Sequence, residues 1–402
     1  MVLNRKILWF MISLVAICMI LLQCSSRLQA DYDPRGPGYA GAQTCRSCHK
    51  TIYDSYIHTA HFNTTQEAGD NNIAGNFQPP HNRFQYNDST WIDLQKRDSG
   101  YYQAAFVNGK ETEAHRIDIL FGIRHAQTFL SWKKDRTIEL PVSYYKAING
   151  WATSPGFSST RVYFSRFINA GCYECHSSFI GSKLNPGPRG MEEVLHRNTM
   201  IFGIDCEKCH GPAATHVQYH TNNPGSAIAK YITAISNLPR ERKLDACAVC
   251  HSGNNKIQVQ STFRFKPGDT LSNYFTTWSG TGANARFDVH GNQFQLLAQS
   301  ACFRKTNTLD CSTCHNPHAD ASGNLTAYSA SCSNCHGKVQ HSFVKDELEE
   351  KRLAANCIDC HMPKQSSQAI TYKLPGDAEK SAYQLRTHLI GIYLDSVFTA
   401  GK

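Results

Sequence analysis

The 402-residue sequence predicts a mainly α and irregular protein, built around something other than its own side chains, with a small antiparallel β-subdomain inserted near its start. Three observations predict it. The pattern Cys-x-x-Cys-His recurs seven times and takes up 14 of the 17 cysteines. From Cys172 onward its copies begin only 21 to 64 residues apart. Between Cys48 and Cys172 lie 123 residues without a cysteine, and there the apolar residues alternate with the period of a strand.

The seven copies run Cys45, Cys48 and His49; Cys172, Cys175 and His176; Cys206, Cys209 and His210; Cys247, Cys250 and His251; Cys311, Cys314 and His315; Cys332, Cys335 and His336; and Cys357, Cys360 and His361. Two thiols three positions apart each add across one vinyl group of a haem, and the histidine directly after them supplies an axial nitrogen. Zinc sites pair such half-sites, and seven is odd; a disulfide framework has no need of histidine after every pair. The reading is therefore seven covalently attached haem c groups. At about 53 residues per motif no ordinary side-chain core is available, so the macrocycles must serve as the core. The expected fold class is accordingly a haem-cored multihaem cytochrome c, mainly α and irregular.

In chain order, residues 1–30 read as an export signal. Arg5 and Lys6 precede an apolar run from Ile7 to Leu22 that only Ser13 interrupts. Two exits stay open: cleavage after Leu28-Gln29-Ala30, or a lipoprotein-type signal in which Leu21-Leu22-Gln23-Cys24 makes Cys24 a lipidated N-terminus. Residues 31–61 form the first haem module, where Tyr53, Tyr56 and Ile57 have helical spacing. Residues 62–165 are the haem-free β-rich insertion. Its strands are expected around Phe84–Tyr86, Trp91–Leu94, Tyr101–Val107 and Ile117–Phe121, with a hairpin turn at Asn108-Gly109. Residues 166–402 are the six-haem region, with helices expected over Met191–Met200 and Val344–Asn356 and loops at Pro186–Gly190 and Gly253–Asn255.

Whether an iron carries a second strong ligand decides whether it relays electrons or binds a substrate. Twelve histidines lie outside the motifs, so supply exceeds demand. His61, His216, His290, His318, His341 and His388 are the favoured distal ligands, and His196 is preferred over His115 and His125 for the seventh place. His58, His81 and His220 are expected to face solvent. His318, three residues after His315, cannot reach the far side of the same iron and should serve a neighbouring one; His216 and His341 follow the same logic. Cys302 reads as a buried free thiol.

Several pieces together resemble the cytochrome c-554-like multihaem family. They are Cys45–His49 followed by Tyr53, Tyr56 and His61; Gly203-Ile204-Asp205 before Cys206–His210, with Gly211-Pro212 and His216 after it; Cys311–His315 with Asn316-Pro317-His318; and Cys357–His361 with Met362-Pro363. The stretch from Ile117 through Leu140-Pro141-Val142 and the Ser154-Pro155-Gly156 segment are similar to the haem-free part of larger relatives. The resemblance implies an electron-transfer protein outside the cytoplasm, mostly bis-His, with closely stacked haems. Four-haem members carry one five-coordinate haem, a feature that the seven motifs here do not assign to any one position.

The formal charge of +9 would suit an anionic partner, but seven haems bring about fourteen propionate charges, so the basic residues are expected to pair with propionates and no nucleic-acid partner is expected. The leading expectation is a non-catalytic carrier in the periplasm or at the cell surface, exchanging electrons with a redox protein that is membrane-associated or another cytochrome. The competing one is an oxidoreductase acting on a small nitrogen or sulfur compound at one open haem. A third is a structural role as an oligomer or cytochrome filament, which a lipid anchor at Cys24 would also suit.

Overall fold

A computed structural model describes Trp9 and residues 33–188, 190–253, 256–276, 287–337, 341 and 346–393. Apart from Trp9, the stretch expected as an export signal, with Cys24, and Asn254-Asn255 lie outside the described residues.

Strands, not helices, set the architecture. The expectation of a mainly α and irregular fold is overturned: the described residues hold seventeen strands in several sheets against eleven short α-helices. The physical reason is that alternation extends well beyond the stretch where it is most visible. Strands β1 (Thr65–Glu67), β2 (Arg83–Asn87), β3 (Thr90–Arg97), β4 (Gly100–Val107), β5 (Lys110–Arg116), β6 (Ile119–Phe121), β7 (Ala126–Lys133), β8 (Arg136–Glu139), β9 (Val142–Tyr145), β10 (Gly150–Thr153) and β11 (Arg166–Ile168) occupy the cysteine-free region. They are followed by a long hairpin, β12 (Ser177–Gly187) and β13 (Gly190–Phe202). Met191–Met200, expected as a helix, lies inside β13 because cross-strand pairing with β12, from Gly187↔Gly190 to Ser177↔Phe202, outweighs its helix-forming composition. The expected second helix is observed over Glu347–Ala354.

In the β region, β2-β3-β4-β5 form an antiparallel meander. The β4–β5 turn places Asn108 and Gly109 at positive φ, 51° and 78°, the backbone that a two-residue hairpin of this hand requires. A second sheet runs β1-β6-β7-β8-β11, with β9 on β7 and β10 on β9. The apolar faces share one core: Phe84, Ile92 and Leu94 from the meander pack with Leu120, Phe129, Ile138, Leu140 and Trp151. A C-terminal hairpin, β16 (Lys364–Tyr372) and β17 (Ser381–Arg386), which follows the two-residue pair β14 (Ile257–Gln258) and β15 (Phe275–Thr276), docks on this unit. Tyr372 and Tyr383 meet Tyr145, and the Lys373 amide donates to Thr153 Oγ1 at 3.0 Å.

Glu139 on β8 is buried opposite Arg166, its Oε2 3.4 Å from Arg166 Nε. Burial outweighs the guanidinium and pushes the carboxyl from its ordinary 4.5 up to about 7. A folded-state value above the unfolded one means that stability is complete below the unfolded value and is lost as pH rises through the folded one. Glu139→Gln is therefore expected to abolish about 3 kcal/mol of destabilisation that wild type acquires between about pH 5 and 8. Thermal unfolding midpoints of the two proteins across that range check this.

Helices are short and serve the motifs. Lys50–Tyr56 buries Tyr53 and Tyr56, and Tyr56 Oη donates to Ile204 O at 2.6 Å. Gly203, at φ +61°, allows the end of β13 to pass this close: a Cβ there would meet Phe62 O at 1.8 Å. The Ile204 amide then donates to His61 O at 2.9 Å, which fixes His61 against the third motif.

Candidate haem centres

Each motif lies on or beside a helix or 3-10 turn, and in the third, fifth and seventh a side chain just before the first cysteine caps the first peptide groups. Asp205 Oδ1 accepts from Lys208 N, Asp310 from Ser312 N, and Asn356 Oδ1 from Asp359 N. Such caps hold the two cysteines and the histidine on one side of a single turn. None of the fourteen motif cysteines is in a disulfide, which leaves each available for a thioether bond.

Five motif histidines face a second histidine from elsewhere in the chain. The ring centroids of His49 and His216 are 6.3 Å apart, His210 and His318 5.8 Å, His251 and His61 6.0 Å, His315 and His388 6.1 Å, and His361 and His341 6.3 Å. Two metal–nitrogen bonds of about 2 Å plus two half-widths of imidazole also come to about 6 Å. The donor sets thus fit an iron with two axial nitrogens. His210, His216 and His361 each donate Nδ1–H to a backbone carbonyl, of Thr233, Lys230 and Gly391, at 2.9, 2.8 and 2.8 Å. That bond fixes the tautomer in which Nε2 keeps its lone pair for a metal. Burial pushes His176, His251 and His388 down to about 4, so these rings are neutral.

In each of the five pairs the second ring follows a different motif from the one whose histidine it meets. His216 follows the third motif and meets the first; His318 follows the fifth and meets the third; His61 follows the first and meets the fourth. The motifs also touch directly. The thiols of Cys45 and Cys206, of Cys175 and Cys250, and of Cys247 and Cys311 are close enough to interact. Motif four thus borders both motif two and motif five.

His176 and His336 have no second histidine ring at this spacing among the described residues. His290 lies within electrostatic reach of His176, while Phe121 stacks near-parallel to the His176 ring at 4.8 Å and Thr64 Oγ1 is 3.2 Å from its Nδ1. His290 is held by Asp288, whose carboxylate accepts from the His290 amide and from Ser367 Oγ. Arg124, Lys146 and Lys364 surround His125, which is in turn within reach of His290. His336 is exposed. His196 is exposed on β13, apart from the five pairs, and His115 pairs with Glu113 on β5. His58 and His81 are exposed; His220 is half-buried against His216. Cys302 is half-buried near Cys314 and Cys332.

Buried charges that the spacing of motifs does not reveal lock the modules together. Arg35 Nη2 reaches Asp33, Asp205 and Glu207 at 2.8, 2.7 and 3.1 Å. Glu207, between the cysteines of the third motif, also accepts from the amides of Ala40, Gly41 and Ala213. Glu174, between those of the second, accepts from Ser261 Oγ and from both Thr262 N and Oγ1. Acidic residues inside a motif were the available signal, but their partners lie up to 172 residues away.

The cytochrome c554 and c-prime family matches residues 122–211, which contain the second and third motifs. The structure is similar to that of the outer cell wall cytochrome OcwA, with a TM-score of 0.54 over 90% of this chain and 81% of that one, at 16% identity. The sequence match over residues 122–211 and the shared fold support a likeness to the cytochrome c-554-like multihaem cytochromes. The chain is also 27% identical over 172 residues to the dissimilatory sulfite reductase MccA of Wolinella succinogenes, 43% of this chain. The match spans 20% of the length of that curated relative. That likeness supports covalent haem c and electron exchange with redox partners. Among the described residues no helix is long and apolar enough to cross a membrane.

Proposed function

We propose that the chain is an exported heptahaem electron carrier in which at least five haems are bis-His. Haem c supplies one-electron chemistry when bound. The observation that carries the reading is the set of five histidine pairs, each setting a motif histidine against a ring that follows a different motif, at a spacing that fits one iron. The chain's own part is to clamp each cofactor from two sides, fix the tautomers of His210, His216 and His361 through carbonyls, and keep neighbouring motifs in contact. The contacts run from motif one to three and from motif two to four to five, and His61 and His318 tie the two sets together. His290 and His196 are proposed as the remaining distal ligands, His290 for the second motif. Residues 1–30 are the export signal, with Cys24 the candidate lipid anchor, and the location is periplasmic or at the cell surface. The residues divide as a first haem module over 31–61, a haem-free β-rich insertion over 62–165 and a six-haem region over 166–402. The donor and acceptor are redox proteins, and an oligomer or filament would extend the same conduction. Stopped-flow mixing of the reduced holoprotein with an oxidised small cytochrome tests this: re-oxidation of all seven haems supports it, and haems that exchange no electrons with any protein contradict it.

One observation favours a second reading, an oxidoreductase for a small sulfur or nitrogen oxyanion. It is the arrangement at His176, where no second histidine ring closes a pair among the described residues, His290 lies within reach, and His290 in turn lies near His125 with Arg124 and Lys364 beside that ring. The match to a sulfite reductase points the same way. Sulfite- or nitrite-dependent re-oxidation of the reduced protein, together with nitric oxide binding to one haem, would replace the carrier reading by this one.

A further inference from the structure

The surroundings of the inter-motif thiol contacts differ in charge. Where motif one meets motif three, Cys45 feels Glu207 and Asp205. Asp33 completes a group of three buried carboxylates against the single guanidinium of Arg35. Where motif two meets motif four, Cys250 feels Lys208 and Lys256. Lys208 Nζ donates to Thr262 O at 3.3 Å, lies 4.6 Å from the Phe263 ring centroid and has Glu174 beside it. Lys256 Nζ sits 4.1 Å from the Phe275 centroid and bonds Ser252 Oγ. Asp245, the carboxylate that acts on Lys256, is already held by Arg242 at 2.6 Å. This contact is therefore two ammonium groups against one free-standing carboxylate. Burial pushes Lys256 down to about 8, which leaves it cationic at neutral pH. Motif four's contact with motif five has one acid, Asp310, facing Lys243 at 3.8 Å.

We propose that these charges build a potential gradient into the chain: Lys256, with Lys208, raises the second and fourth haem sites, Asp33, Asp205 and Glu207 lower the first, Lys208 offsets Asp205 and Glu207 at the third, and electrons collect at the second and fourth. The proposal rests on the electron-transfer reading. Adding an electron removes one positive charge from a site, so a buried cation beside it favours the reduced form and a carboxylate the oxidised form. Both kinds of charge sit in enclosed positions, where water screens them little.

The test is an optical redox titration of the fully loaded holoprotein. Lys208→Met and Lys256→Met are each expected to lower the potentials of the haems reduced first. The expected fall in their reduced-to-oxidised ratio at fixed applied potential is about tenfold, or about 59 mV for one electron. Lys208→Arg and Lys256→Arg restore them. Asp205→Asn, which keeps the helix cap, raises the haems reduced last. Lys256→Met decides if Lys208→Met loses haem, because Lys256 lies outside every motif. Seven haems with unmoved potentials in the Lys variants, or a shift confined to the last-reduced haems, overturns the gradient and leaves the carrier reading standing. A wild-type protein whose haems do not titrate reversibly would instead sink the carrier reading.

Discussion

Arg35→Ala is expected to destabilise the holoprotein by about 4 kcal/mol, because it leaves three buried carboxylates without their shared cation. The side chains of Arg35, Asp33, Asp205 and Glu207 are 4%, 6%, 4% and 1% exposed, so water cannot replace the guanidinium. The loss reaches beyond charge. Asp205 and Glu207 flank Cys206, and the Ala40 and Gly41 amides that Glu207 accepts lie just before the first motif. Breaking the cluster therefore loosens the first motif from the third. Arg35→Lys keeps the charge but not the planar fork that reaches three acceptors, so its cost falls between alanine and wild type. Thermal unfolding at matched haem content measures both. An Arg35→Ala protein as stable as wild type would mean that the cluster is solvated in solution.

His318→Ala has the second large effect, on spin state rather than stability. His318 is the partner ring of His210 at 5.8 Å, nearly parallel at 11°. Its removal is expected to convert one haem of the seven from low to high spin and to let cyanide bind there, with the other six unchanged. His318→Met would supply a thioether in the same place, restore low spin and raise that haem's potential. A His318→Ala spectrum identical to wild type would show that His318 is not a ligand.

The cofactor chemistry was legible in the sequence because a local spacing encodes it: Cys311-Ser312-Thr313-Cys314-His315 needs nothing distant to be recognised. The expectation that a histidine close behind one motif serves another was also local, and His216 and His318 stand beside the first and third motif histidines. Which ring they would meet was not legible, because that choice belongs to the tertiary fold. The balance of helix and strand was misread where composition and pairing disagree. Met191–Met200 has helix-forming residues, yet its partner across the sheet is β12, and a strand's stability lies in such pairs. Arg35 was silent for a similar reason: its partners Asp205 and Glu207 are distant in sequence, and nothing in a basic residue after Pro34 announces three carboxylates.

The central claim is that the fold clamps haems between a motif histidine and a histidine that follows another motif. Low-temperature EPR of the oxidised holoprotein, with spins quantified against total haem, tests it most directly. The account predicts seven haems per chain, of which five or more are low-spin with two nitrogen ligands. Fewer than five low-spin haems, or fewer than seven haems with motif cysteines left as free thiols, would contradict it.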